Sequence, residues 1–346
     1  MKQADLSKPI ASLSANGAVE LPYITAVVAS YNEEAHIAHC LRGLLSQVGL
    51  PGPIEILVVD GESSDKTLDV VRSFAEYGTQ IRIVPNPRRF QTYAWNIGIR
   101  SARGTYVALF SAHSEYADDY LLRCLEARQR TGAANVGGVQ TPVGDGLIGN
   151  AVAWAMQSPF GVGNAHFRYT TKEQFVDAVY GAFFDKAEIE AIGGYDESLP
   201  VNEDAEIQYR MRRAGHTIFL SPLIRVRYHV RSSLRRLAQQ MFRYGFWRRK
   251  IQLSHPEYVP LRVLAPALLV LTCAVSIIAF AFARNPAMLA VPLLYAAFLC
   301  TASIVAVVSR RSLLVGLAAP AVLSVMHFSY GLGWLAGFFV HRRSKT

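Results

Sequence analysis

Four groups of side chains, far apart in the chain, have the types that bind charged ligands and move protons. Tyr31-Asn32-Glu33, Asp60, and Ser111 with His113 each stand where a short apolar run ends, and Glu203-Asp204 precede a helical stretch. In an open α/β sheet, ligands sit outside the carboxyl ends of the strands, so polar groups at three neighbouring strand tips face a crevice. A purely structural sheet would not need them. Asp60 is followed by Gly61-Glu62-Ser63-Ser64-Asp65, and Asp65 and Thr67 can cap the helix that begins there. The simpler role for Asp60 is that of a turn residue. Glu203 and Asp204 satisfy free amides and the dipole at a helix start, while two adjacent carboxylates at the mouth of a crevice are also what a general base requires.

The elements that would carry these residues alternate. Apolar runs at 24–29, 54–59, 81–84 and 106–110 are each followed by a helical stretch, at 35–47, 66–74, 92–102 and 118–131. Alternation of this kind predicts a mainly parallel sheet covered by helices on both faces. Further strands are expected at 135–141, 179–184 and 217–221, and a helix at 205–213. No internal repeat or low-complexity linker appears, so the α/β part reads as one domain ending near Pro222, with outer bounds of 21–230. Gly144-Asp145-Gly146-Leu147-Ile148-Gly149 fits the dinucleotide fingerprint literally. It comes late in the sheet and has no acidic residue about 20 positions on, so it is read as a flexible loop between strand and helix.

Hydrophobic residues make up 51% of the 346, and the excess is concentrated at the end. The runs 263–283, 285–309 and 312–340 contain no Asp, Glu, Lys or Arg, and each reaches the roughly 20 residues needed to cross a bilayer. About three membrane segments are therefore expected, at 263–283, 287–309 and 313–340. The last contains Pro320, His327 and Gly331-Leu332-Gly333, which suit a re-entrant hairpin. Three crossings would place the basic tail 341–346 opposite the α/β domain, against the positive-inside tendency.

The net charge of +9 is also local, since no acidic residue lies between Glu206 and Glu257 while arginines accumulate there. Positive charge beside a membrane segment marks the cytoplasmic side and favours anionic headgroups, and the adjacent apolar runs argue against a nucleic-acid surface. Within 231–260, Leu234, Leu237, Ala238, Met241 and Gly245 share one helical face, as in an amphipathic helix at a membrane surface. The competing expectation is a helix packed on the domain. Residues 1–20 form a polar extension without the features of a secretory signal, so the α/β domain is expected in the cytoplasm. Cys40, Cys124, Cys273 and Cys300 show no paired spacing and read as buried thiols.

Taken in order, Val27-Val28-Ala29-Ser30-Tyr31-Asn32-Glu33, Val59-Asp60-Gly61-Glu62-Ser63-Ser64-Asp65, Asn96-Ile97-Gly98-Ile99 through Ala102-Arg103-Gly104, and Gly193-Gly194-Tyr195-Asp196 followed by Asn202-Glu203-Asp204-Ala205-Glu206 resemble the family 2 inverting glycosyltransferases. The resemblance covers roughly 24–250, and the ordered set is far more specific than any one motif. Ser158-Pro159-Phe160-Gly161-Val162-Gly163 and Gln240-Met241-Phe242-Arg243-Tyr244-Gly245 are most similar to the membrane-bound enzymes of succinoglycan-type exopolysaccharide assembly.

The resemblance implies a GT-A fold, a nucleotide-sugar donor such as a UDP-linked hexose, and a divalent metal, Mg or Mn. Tyr31, Asn32, Glu33 and Asp60 would hold the nucleoside, Ser111 would reach a ribose or a metal-bound water, and Asp204 would be the base beside a supporting Glu203. Gln240 and Arg243 would face the leaving diphosphate, in a pattern with Tyr244 where the family has Trp. The fourth strand departs from the family's Asp-x-Asp: it ends Ser111-Ala112-His113, which makes His113 the candidate metal ligand, with a core or hydrogen-bonding histidine as the alternative. The acceptor implied is a polyprenyl-diphosphate-linked oligosaccharide or a polysaccharide, at a bacterial-type inner membrane crossed several times, with membrane lipid as a partner and no nucleic acid. A decayed membrane scaffold that binds nucleotide and a processive synthase are the other classes compatible with these residues.

Overall fold

A strand buried on both faces must be apolar or have its polar groups paired, and 24–29 and 54–59 read so, their two exceptions Thr25 and Glu55 being hydrogen-bonded to each other at 2.7 Å. In the computed structural model, which describes residues 12–13, 19–20, 24–74, 81–163, 165–258 and 261–339, both runs are central strands. Most of the N-terminal extension and the tail 341–346 lie outside the described residues. The strands are β1 (Ser12–Leu13), β2 (Val19–Glu20), β3 (Ile24–Ser30), β4 (Ile54–Asp60), β5 (Ile81–Pro85), β6 (Tyr106–Ser111), β7 (Glu115–Tyr116), β8 (Asn135–Val143), β9 (Gln174–Phe175), β10 (Tyr180–Asp185) and β11 (Ile218–His229). The helices are α1 (Ile37–Leu45), α2 (Thr67–Ser73), α3 (Gln91–Ser101), α4 (Tyr120–Thr131), α5 (Gly146–Met156), α6 (Pro159–Val162), α7 (Lys186–Ala191), α8 (Glu203–Arg213), α9 (Leu234–Ser254), α10 (Leu261–Ala283), α11 (Ala290–Arg310) and α12 (Leu313–Ala336).

β1 and β2 pair with each other, and the rest form one sheet in the order β5-β4-β3-β6-β10-β8-β11-β7, with β9 on β11. β5, β4, β3 and β6 are parallel. β10 runs antiparallel to β6 and to β8, which makes the sheet mixed. Alternate residues of the central strands feed two cores. Ile24, Ala26, Val28, Ile56, Val58 and Phe110 pack with Leu41 and Leu44 of α1, Val71 of α2, and Leu121 and Leu125 of α4. Val27, Leu57, Val59 and Leu109 pack with Trp95 and Ile99 of α3, Ile189 of α7, and Ile207 and Met211 of α8. Helices thus cover both faces, as the alternation predicts.

Contacts divide the chain into two units, Met1–Gln140 with Thr170–Tyr228, and Thr141–Tyr169 with His229–Thr346. The first holds the sheet. Where a continuous domain over 21–230 was expected, residues 141–169 group with the C-terminal helices instead. In this second unit three apolar helical stretches, Val263–Ala283, Pro286–Arg310 and Leu313–Phe339, have 21, 25 and 27 residues and are long and apolar enough to cross a membrane. The last run is one continuous helix from Leu313 to Ala336 with Pro320 inside it, not a hairpin. Gly146 to Gly149 are the first turn of α5, so the loop expected there shrinks to Gly144-Asp145. The apolar stripe of α9 is covered: Leu237, Met241 and Gly245 are buried, and a Cβ on Gly245 would stand 2.1 Å from the Tyr330 carbonyl oxygen of α12. That corrects the free interfacial face. Cys300 is exposed on α11, whereas Cys40, Cys124 and Cys273 are buried as expected.

Candidate active site

The registers Ser30 opposite Asp60 and Ala29 opposite Ser111 bring the tips of β3, β4 and β6 level along one edge of the sheet. Asp60 is 3% exposed there, and its carboxylate is turned onto its own loop. Ser63 donates its amide to Oδ2 at 2.9 Å and its hydroxyl to Oδ1 at 2.6 Å. The β4–α2 loop is then tied to the β3 tip. Asn32, at φ 54°, accepts from the Ser64 amide through Oδ1 at 2.8 Å and donates its own amide to Ser63 Oγ at 2.9 Å. Asp65 caps α2 by accepting the Thr67 amide at 3.0 Å, while Thr67 is itself the first helical residue and accepts the Glu33 amide at 2.8 Å. The predicted cap is therefore Asp65 alone. Asp60 and Asn32 are builders of the strand-tip loops.

A cleft opens at this edge, lined by Tyr31, Glu33, Asn86, Arg89, Ser111 and His113 among others, with about 470 Å³ of empty volume that includes open solvent. His113 Nδ1 stands 3.5 Å from Glu33 Oε1, so an imidazole and a carboxylate share one wall. Ser111 ends β6, and its amide donates to the Tyr116 hydroxyl at 3.2 Å. Sequence reasoning missed Asn86 and Arg89. The Arg89 guanidinium lies 5.8 Å from the centre of the Tyr31 ring and donates to Glu62 at 2.8 Å, which holds its basicity above the usual arginine value. Gly61 leaves room for this pair, since a Cβ there would sit 3.2 Å from the Tyr31 side chain. The signal was Asn86-Pro87-Arg88-Arg89, polar residues after the third strand, at the one tip of the four parallel strands left unread.

Glu203 and Asp204 do not line the cleft; they open α8, on the sheet face that α3 shares. Asn202 precedes them in a left-handed conformation, φ 63°, and Asp204 Oδ1 accepts the Ala205 amide at 2.7 Å. Asp204 is exposed. Burial pushes the Glu203 carboxyl up to about 7, and the neighbouring Asp204 charge adds to the rise. The turn before α8 is fixed from both sides. Asn96 accepts the Tyr195 amide at 2.8 Å and donates to the Tyr195 carbonyl and the Glu197 carboxylate, both at 2.9 Å. Arg210 bonds the buried Glu206 at 2.6 and 2.8 Å and donates to the carbonyls of Ile192 and Gly194, both at 2.6 Å. Gly194 is obligatory: it has φ 67°, and a Cβ would stand 2.5 Å from Asn96 Oδ1. Gly98 lets α3 press on β3, where a Cβ would meet Val27 at 2.2 Å. Thus α3 serves two places at once, with Gln91 and Ala94 in the cleft wall and Asn96 holding the turn that leads to the paired carboxylates. Gln240 and Arg243 belong to α9 of the second unit, where Gln240 donates to the Tyr244 hydroxyl at 3.1 Å and Arg243 is exposed.

The chain is similar to known proteins in sequence and in fold. Residues 25–187 match the family described as Glycosyl transferase family 2. The succinoglycan biosynthesis protein ExoA of Rhizobium meliloti is 31% identical over 242 residues, which cover 69% of this chain and 73% of that protein. A dolichyl N-acetyl-alpha-D-glucosaminyl phosphate 3-beta-D-2,3-diacetamido-2,3-dideoxy-beta-D-glucuronosyltransferase of Methanococcus voltae is 29% identical over 231 residues, covering 64% of this chain and 72% of that one. Among solved structures, the mannosyltransferase PcManGT of Pyrobaculum calidifontis, in complex with GDP-Man and Mn2+, superposes with a TM-score of 0.60 over 96% of this chain and 91% of its own, at 19% identity. The sheet, its helices and its strand-tip edge are those of a GT-A fold. With the family's residues matched and an exopolysaccharide protein related over two thirds of its length, the chain belongs to glycosyltransferase family 2.

Proposed function

We propose that the protein is an inverting glycosyltransferase that moves a hexose from a nucleotide-sugar donor to a lipid-linked oligosaccharide or growing polysaccharide at the cytoplasmic face of a bacterial-type inner membrane. The observation that carries the reading is the level edge of β3, β4 and β6, where an ordered loop and a polar cleft meet. The donor's nucleoside lies along Tyr31, Asn32 and Asp60, with the carboxylate of Asp60 retaining lone pairs for a base beyond its two bonds to Ser63. The Arg89 guanidinium over Tyr31 adds a cation and a flat ring at the same wall. Asp204 is exposed at the start of α8 and free to take the proton of an acceptor hydroxyl, while Glu203, protonated up to about 7, keeps a second negative charge from competing beside it. In-line attack by that hydroxyl on the anomeric carbon, opposite the departing diphosphate, inverts the configuration. By analogy with the family alone, Arg243 and Gln240 are the proposed partners of the leaving diphosphate.

The residues present fit a divalent cation of limited protein ligation. Among the described residues no three His, Cys, Asp or Glu side chains converge on one point. His113 and Glu33 offer one nitrogen and one carboxylate oxygen on one wall, and a hard cation fills its remaining positions with phosphate oxygens and water. When bound, Mg or Mn would neutralise charge on the leaving diphosphate. ExoA is named for succinoglycan biosynthesis and the archaeal relative for a dolichyl-phosphate-linked sugar, which supports a carrier-linked acceptor. The experiment is a panel of nucleotide sugars supplied to membranes containing the protein, with the anomeric configuration of the product determined. Transfer from one donor with inversion supports the reading, and retention of configuration or donor binding without turnover contradicts it.

A further inference from the structure

The second unit is rich in cations and nearly without acids. Over 141–169 and 229–346 the only carboxylate side chains in the sequence are those of Asp145 and Glu257, whereas Arg231, Arg235, Arg236, Arg243, Arg248, Arg249 and Lys250 lie on α9 or just before it. A cation bathed in water needs no protein partner. Arg249 is not placed that way. Its guanidinium stands 3.9 Å from the centre of the Phe338 ring and 5.0 Å from that of Trp334, two rings at the end of the last apolar stretch. Gly337 makes room for its stem, since a Cβ there would stand 2.7 Å from Arg249 Cβ.

The rings cover the flat face of this guanidinium and leave unmet the edge along which its N–H groups point. Arg249 Nε is buried without a hydrogen-bond partner, and among the described residues no carboxylate pairs with the group. Burial holds its basicity below the usual arginine value. Arg89, Arg123 and Arg130 go the other way, each raised first by a hydrogen bond to a carboxylate. Three residues on, along the same face of α9, Gln252 is 2% exposed. Its Oε1 accepts the Trp334 indole N–H at 2.7 Å, while its Nε2 has no partner among the described residues. A guanidinium and an amide with unpaired N–H groups therefore meet at one indole.

The apolar stretches fix the depth of this cluster. Leu313–Phe339 ends at it and Val263–Ala283 begins at it, because Val263 and Ala267 pack on Trp334 together with Leu264, Tyr330 and Leu335. Where one membrane-length helix ends and another starts beside Trp and Tyr, the level is that of the headgroups. The anion concentrated there is phosphate, whose oxygens match the edge of an arginine.

We infer that Arg249, with Gln252 beside it, binds the phosphate of a membrane lipid at the ends of α9 and α12. Phe338 and Trp334 hold the guanidinium in place and give the lipid's first carbons an apolar wall. Two lipids carry the group: an anionic phospholipid, as a diester, and a polyprenyl carrier, as an ester of phosphate or diphosphate. Only the second source rests on the proposed function.

The test measures lipid binding by the purified full chain in detergent, apart from any transfer. Dioctanoyl phosphatidylglycerol and farnesyl phosphate are titrated by native mass spectrometry, against dioctanoylglycerol, which lacks phosphate, and inorganic phosphate, which lacks lipid. One of the two lipid phosphates should bind saturably, and Arg249→Met, whose side chain still covers Phe338, should weaken it about tenfold or more. Arg235→Met, at an exposed cation of the same helix, should leave it within about twofold. Equal losses in the two variants would show diffuse attraction and overturn the inference, as would either control ligand binding as tightly as the lipid phosphates. Preference for phosphatidylglycerol assigns the site to the leaflet and preference for farnesyl phosphate to the carrier; both uphold it. The parent chain gives a reading that needs no variant to fold. The preferred lipid, carrying a photoreactive group beside its phosphate, should label 249–252 or 334–338, and labelling only elsewhere would overturn the site. Lipid binding at Arg249 in a chain that turns over no nucleotide sugar would refute the proposed function alone.

Discussion

Replacing Asn96 by alanine should separate the turn before α8 from the helix that lines the cleft. The 6%-exposed amide makes three hydrogen bonds, two to the backbone of Tyr195 and one to Glu197. Asn96→Ala removes all three and leaves a buried N–H and C=O of Tyr195 without that partner. Counting about 1 kcal/mol for each neutral bond and a comparable amount for the bond to the carboxylate gives about 3 kcal/mol of lost stability. For a unit of this size that corresponds to a fall in Tm of roughly 6–12 °C. Trp95, buried on the same helix, reports the transition by fluorescence in detergent. The chemistry suggests a control. Asn96→Asp retains the acceptor for the Tyr195 amide but faces the Tyr195 carbonyl and the Glu197 carboxylate with negative charge, so it should fail alone and partly recover when combined with Glu197→Gln. Because Asn96 touches no reacting group, kcat should fall with little change in donor affinity. An Asn96→Ala protein within about 0.5 kcal/mol of the parent and fully active would refute the account of this turn.

Glu203 gives a pH signature with a definite sign. Its raised carboxyl pKa means that the folded chain holds the proton more tightly than the unfolded one, so its contribution to stability is complete below about 4.3 and is lost as pH rises through about 7. Glu203→Gln should therefore gain Tm relative to the parent as pH is raised from about 5 to 8; a pH-independent difference would show that Glu203 does not titrate in that window. Chelation should stop transfer and added Mn or Mg restore it, with His113→Ala requiring more metal; full activity in chelator would remove His113 and Glu33 from a metal site. Arg89→Ala breaks a half-exposed, solvent-screened pair with Glu62, so the change should weaken donor binding severalfold in calorimetry while Tm stays put. Unchanged donor affinity would place Arg89 outside the donor site.

How much was legible in the sequence depended on the kind of signal. Central strands buried on both faces left continuous apolar runs, and β3, β4 and β6 fall within a residue of where those runs put them. β11 was cut short at Pro222, although Ile224 and Val226 alternate with exposed Arg225 and Arg227 as an edge-facing strand should. The arginines were counted as charge before they were read as a pattern. The run 144–149 reads as a loop because the fingerprint comes late in the sheet without its acidic partner, but Gly146 already opens α5, and Gly144 lies against its first turn, where a Cβ would stand 2.0 Å from the Gly149 carbonyl oxygen. The motif residues Asn96, Gly98 and Gly194 were visible, but their work was not, since it consists of contacts between α3, β3 and a turn about 100 positions away. Arg89 carried only the general signal of polar residues after the third strand, and the spatial return of the chain is what places it over Tyr31.

The account rests most heavily on Asp204 as the group that takes the acceptor's proton. Donor binding and sugar transfer should be measured side by side on the parent and on Asp204→Asn in the same membranes, once the donor panel has identified a substrate. The expected result is donor affinity within about twofold of the parent and transfer lowered by at least about a hundredfold, the scale of a lost general base. Transfer at the parent's rate in Asp204→Asn would contradict the assignment of the start of α8 as the chemical half of the site.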